Sequence, residues 1–191
     1  LTVIYPVLKF RLRRKLKEIN QKYRSTLIYV THDQNEAMTF AENIIVMDQG
    51  NIVQAGTPSE LFDRPKTTFV GYFIGAPAMN LFACSAVNNT TISFGGAEIV
   101  TDTNLEAVAS KNLKLGIRSE YIKLATASAE NTVSAKVQRV EDLGNHKLVT
   151  ADFQGQSIKV KVKREQELPA ENVFLTIPAQ HCCVYENEHL I

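Results

Sequence analysis

Three cysteines in 191 residues, Cys84 and the adjacent pair Cys182–Cys183, are too few to frame a disulfide-stapled fold and suit a reducing cytoplasm. No apolar run approaches the roughly 20 residues that a membrane span requires, because charges interrupt each one within a strand's length. Neither sign of charge is in excess. The formal net charge is +1, with 10 Lys/Arg against 7 Asp/Glu in residues 1–75 and 11 against 13 in residues 76–191. Neither part carries the basic footprint of a nucleic-acid binder, so no nucleic-acid partner is expected. Internal repeats and low-complexity tracts are missing too. The chain opens "LTVIYPVLKF", without an initiator Met or a signal pattern, so Leu1 is expected to fall inside a longer protein.

A phosphate cradle is also lacking. A P-loop needs G-x-x-x-x-G-K-[ST], so that backbone N–H groups and the Lys surround the phosphates. None of the nine glycines is followed by Lys and a hydroxyl residue. No apolar strand ends in paired Asp–Glu to hold Mg²⁺. The chain by itself is therefore expected to bind no nucleotide and to have no cofactor of its own.

What is present is ordinary globular material, 45% hydrophobic and 21% charged, long enough to bury a core. The first third reads as α/β. "PVLKFRLRRKLKEINQKY" places Leu8, Leu12, Leu16 and Ile19 on a helical stripe, with basic residues on the other faces as a solvated surface. "TLIYV" (26–30) reads as a buried parallel strand, "DQNEAMTFAE" as a short helix with Ala37, Phe40 and Ala41 inward, and "NIIVMD" as a second buried strand. "QGN" then turns the chain so that residues 44–47 pair with 52–54. Thr57, Pro58 and Glu60 form a capping box for the next helix, and "KTTFVGYFIG" predicts another that ends near Pro77. Beyond Pro77 the period becomes two, as in "QSIKVKVK", where Ile158, Val160 and Val162 alternate with lysines. Short alternating runs divided by turns predict a small all-β, OB-like barrel or sandwich.

His32 closes the apolar run "TLIYV". A polar residue just past the carboxyl end of a buried parallel strand stands where open α/β sheets bind ligands. It can equally be a polar terminator of the strand, and position alone leaves both readings open. Near the C-terminus, "QHCCVYENEH" gathers His181, Cys182, Cys183 and His189. Adjacent cysteines on a strand face opposite ways and cannot easily share a tetrahedral ion, so no metal site is assigned.

The ordered segments "VTHDQNEAM", "MDQGNIVQAGTPSEL", "FVGYFIGAPAMN" and "LGIRSEYI" resemble the ATP-binding subunits of ABC importers, specifically the carbohydrate and glycerol-phosphate uptake group. The match is dense over residues 6–81 and sparser afterwards. It implies the C-terminal part of a P-loop nucleotide-binding domain at 1–76 and a regulatory, TOBE/MOP-like β-barrel domain at 77–191. It makes His32 the switch histidine, which contacts the ATP γ-phosphate and helps place the attacking water. ATP and Mg²⁺ would serve the complete protein, whose P-loop, signature motif, Mg²⁺-binding Asp and catalytic Glu would all precede Leu1. The implied partners are a second copy of the subunit, transmembrane permease subunits on the inner membrane face, and a regulator at the β-domain. Leu1–Tyr5 matches the D-loop with Tyr5 where the family has Asp, and Ser119 replaces the usual Pro of the β-domain motif. The competing reading is a stand-alone regulatory or ligand-binding β-module without ATPase function.

Overall fold

The computed structural model describes residues 6–108, 112–169 and 171–191. The D-loop match at 1–5, with its Tyr5 departure, lies outside them. Helix α1 (Pro6–Tyr23) forms over the span that the periodicity predicts. Its stripe is not covered, however: Leu8, Leu12 and Ile19 are exposed. The segment read as a buried parallel strand, 26–30, forms no regular element, with Ile28 84% and Val30 87% exposed. A strand exists only through its neighbours' hydrogen bonds, and among the described residues no parallel strand adjoins this one. A P-loop-type parallel sheet is therefore absent from the described residues.

Helix α2 (Gln34–Phe40) follows, capped by Asp33. Strands β1 (Ile44–Asp48) and β2 (Asn51–Gly56) form the expected hairpin. Its turn places Gln49 at φ 46° and Gly50 at φ 82°, both left-handed, which matches the twist of the strands. β1 is buried on one face only, through Ile44 and Val46, whereas the sequence predicts burial on both. Helix α3 (Pro58–Asp63) has the predicted box: the Thr57 hydroxyl accepts from the Glu60 N–H, and the Glu60 carboxylate accepts from the Thr57 N–H at 2.7 Å. Helix α4 (Thr68–Phe73) is capped by Thr67. Leu61, Val70 and Ile74 join Ile44 and Val46 in a small core.

The rest is all-β: β3 (Asn80–Ala86), β4 (Thr91–Phe94), β5 (Ala97–Val100), β6 (Leu113–Ile117), β7 (Lys123–Ala125), β8 (Thr132–Asp142), β9 (His146–Phe153), β10 (Gln156–Lys163), β11 (Asn172–Thr176), β12 (Cys183–Glu186) and β13 (His189–Leu190), with a 3-10 turn at Ala179–His181. They build a five-stranded sheet, β10-β9-β8-β11-β7, and a six-stranded sheet, β13-β12-β6-β3-β4-β5. One core is common to both. Ile158, Val160 and Val162 of β10 enter it with Val149 of β9, as their alternation demands, and meet Phe82, Phe94, Leu115 and Ile117 from the other sheet.

Asn80 pins the two sheets together. Its buried amide donates to the Ile117 carbonyl at 3.2 Å and the Lys159 carbonyl at 2.9 Å, and accepts from the Lys159 N–H at 2.8 Å. Asn80→Ala leaves these backbone groups dry and unpaired, so it is expected to cost about 2–4 kcal/mol. A urea unfolding midpoint should fall with its slope unchanged, and an unshifted midpoint would show that the amide is dispensable.

Candidate functional site

The loop that carries His32 is built by the polar residues around it. Asp33, at the N-cap of α2, accepts from the N–H of Asn35 at 2.9 Å and of Glu36 at 3.3 Å. The Asp33 N–H donates to the Thr31 hydroxyl at 3.0 Å, and that hydroxyl donates to Glu36 at 3.0 Å. Both neighbours of His32 are thus fixed, while the imidazole itself is exposed to solvent. The segment bends here because Thr31 and Asp33 satisfy backbone donors locally in place of a sheet ladder.

Glu36 is the one buried charge of this region, 7% exposed. Burial opposes its ionisation. The Thr31 hydroxyl and the cations of Lys9 and Arg13 outweigh that and hold its carboxyl below the ordinary value. Gln34 accepts from the Gly75 N–H, which ties the start of α2 to the end of α4.

A second set of contacts joins the helices to the β-sheets. The Arg118 side chain, 1% exposed, runs from the end of β6 into α3 and α4. Nε donates to the Phe62 carbonyl at 3.0 Å, and Nη1 donates to the Gly71 carbonyl at 2.7 Å and also to that of Ile74. The guanidinium lies over the Phe62 ring, 4.4 Å from its centroid. Burial pushes its pKa down, yet the charge persists because a guanidinium holds its proton at any physiological pH. Helices α3 and α4 present carbonyl ends that a cation can satisfy, and Arg118 does so from the other part of the molecule. Gly75 makes room for it: its φ is +106°, and a Cβ there would stand 2.9 Å from Nη1. Tyr185 donates to the Pro65 carbonyl at 3.1 Å, Tyr121 to Asp63, and Thr68 to Glu188.

Two further sequence features have plain structural roles. The Ser119 hydroxyl donates to Glu120 at 2.9 Å, and its carbonyl accepts from the Lys161 N–H at 3.0 Å, a second tie between the sheets. His181 stacks on Tyr121 with 3.8 Å between centroids, Cys182 donates to the Pro178 carbonyl, and Cys183 to that of Asp63. Burial pushes the Cys182 thiol up to about 12, far from the thiolate that a metal or a nucleophile needs.

Sequence reasoning singled out His32 and passed over Glu36 and Arg118. Glu36 stands three residues after the Asp33 cap, a spacing that predicts a local capping contact and gives no sign of a tie to α1. The one signal for Arg118 is an arginine placed directly after the buried "LGI".

A family model described as TOBE domain matches residues 115–184. The chain is 34% identical over 178 residues to sn-glycerol-3-phosphate import ATP-binding protein UgpC 2 of Agrobacterium fabrum, covering 91% of this chain and 47% of that protein. It is 34% identical over 184 residues to the UgpC protein of Salmonella typhimurium (95% and 51%) and 33% identical over 184 residues to that of Chromobacterium violaceum (95% and 50%). Among solved structures, the molybdate-bound cytoplasmic protein ModG overlaps 58% of this chain and 96% of its own at 20% identity and a TM-score of 0.46, a likeness too loose to assign a ligand. The chain spans about half the length of the curated relatives it matches. Over nearly its whole length the chain is thus similar to import ATP-binding proteins, and within that length residues 115–184 match a TOBE domain.

Proposed function

We propose that this chain is the C-terminal portion of an ATP-hydrolysing importer subunit, and that His32 is its switch histidine. The observation that carries the reading is the solvent-facing imidazole of His32, held between two fixed neighbours, in a chain similar over nearly its whole length to import ATP-binding proteins. In the complete subunit an imidazole N–H donates to the charge that develops on the transferred phosphoryl group of ATP. The substrate class is a sugar, a polyol or glycerol phosphate, the last supported by the names of the relatives. The working assembly is a dimer of such subunits on transmembrane permeases at the inner membrane face. Among the described residues no helix is long and apolar enough to cross a membrane.

Residues 1–76 belong, on this reading, to the nucleotide-binding domain and 77–191 to a regulatory domain. The chain offers ATP one imidazole and no glycine-rich phosphate cradle. Titration of the 191-residue chain with ATP–Mg²⁺ should therefore give no binding tighter than millimolar, and the complete subunit should bind and hydrolyse ATP. Micromolar binding by the chain alone, or no hydrolysis by the complete subunit with its permease, would overturn the assignment.

A further inference from the structure

We infer that Glu36 is the positioning residue for His32, tying the histidine's loop to helix α1. The inference rests on the reading of His32 given above. Two stretches of chain converge on this one carboxylate. Oε1 faces α1, with Lys9 Nζ and Arg13 Nη1 each at 3.4 Å. Oε2 faces the segment that leads into His32, accepting from Thr31 Oγ1 at 3.0 Å and the Tyr29 hydroxyl at 3.3 Å.

The departure from local rules is informative. A Glu at the third position of a helix ordinarily reaches back to the N–H of the capping residue. Here the Thr31 hydroxyl occupies the Asp33 N–H, and Glu36 is directed instead to α1. Thr31 is the hinge of the arrangement, because it donates to Glu36 and accepts from Asp33, so the residues on both sides of His32 are held through it. Lys9 and Arg13 are four apart and share one face of α1, so displacement of that helix moves the carboxylate and, through Thr31, the loop. A buried ion pair adds little to stability, but it fixes geometry.

Glu36→Gln keeps the size of the side chain and an acceptor for Thr31, and removes the charge that holds Lys9 and Arg13. Two measurements test the inference. In the 191-residue chain, the NMR signals of the His32 imidazole should shift toward those of free histidine, with the methyl signals of Ile158 and Val160 unchanged. In the complete subunit, kcat for ATP should fall about tenfold or more, because small misplacements of an aligned group are costly, with KM within about twofold. Unchanged His32 signals overturn the inference. If His32→Ala leaves turnover intact, the switch reading fails instead, while the His32 signals in E36Q still decide whether Glu36 positions it. Should E36Q disturb the β-domain signals, the paired variant Lys9→Ala/Arg13→Ala, on a solvated helix, takes its place. Unchanged His32 signals there overturn the inference equally.

Discussion

His32→Ala in the complete subunit is expected to lower ATP turnover by about 10²–10³-fold, the usual cost of one donor aimed at developing phosphoryl charge. On the reading proposed above, ATP affinity should change little, because a phosphate cradle in the complete subunit would supply most of the contacts that hold the nucleotide. The effect should appear in kcat. His32→Gln, which keeps a side-chain N–H donor, should recover part of the loss. The structure supports such selectivity: the ring is exposed and its neighbours Thr31 and Asp33 are bonded to one another and to α2, so its removal leaves no cavity and no unpaired backbone. Steady-state ATPase rates beside equilibrium nucleotide binding decide the matter. Unaltered turnover would remove His32 from the mechanism.

Arg118→Met should separate the helices from the β-sheets. The substitution roughly keeps the volume of the side chain but removes the guanidinium donor from the carbonyls of Phe62 and Ile74, and leaves that of Gly71 only the Met79 N–H at 3.2 Å. Leaving buried carbonyls without their charged donor costs about 2–4 kcal/mol, a large share of the stability of a domain of this size. Amide hydrogen exchange should rise first across residues 62–74, and the β10 amides should retain their protection if the sheets hold by themselves. Arg118→Lys should rescue little, since a single ammonium cannot span three carbonyls and stack on Phe62. An unfolding midpoint equal to that of the parent would show that Tyr185, Tyr121 and Glu188 suffice to hold the joint.

Much of the secondary structure was legible because it is decided locally. The box at Thr57–Glu60, the Gln49–Gly50 turn and the lysine-alternating β10 each follow from a few adjacent side chains, and each stands where the sequence places it. The stretch 26–30 failed for the opposite reason. Its β-branched residues state a preference for extended backbone, but a strand also needs partners, and these are remote in sequence. The same holds for β1, whose outer face is bare although its composition is that of a strand covered on both sides.

The sequence alone carried most of the helices and strands, the change from helical to period-two rhythm near Pro77, the missing phosphate cradle and the prominence of His32. These are properties of short windows, fixed by propensity, spacing and the presence or absence of a motif. Long-range contacts, by contrast, turn Glu36 from its own cap to Lys9 and Arg13, pin one sheet to the other through Asn80, and let Arg118 hold α3 and α4 across 44 to 56 residues of chain. In each case a buried polar group must find its partner wherever the fold supplies one, and the chain between them carries no trace of the pairing.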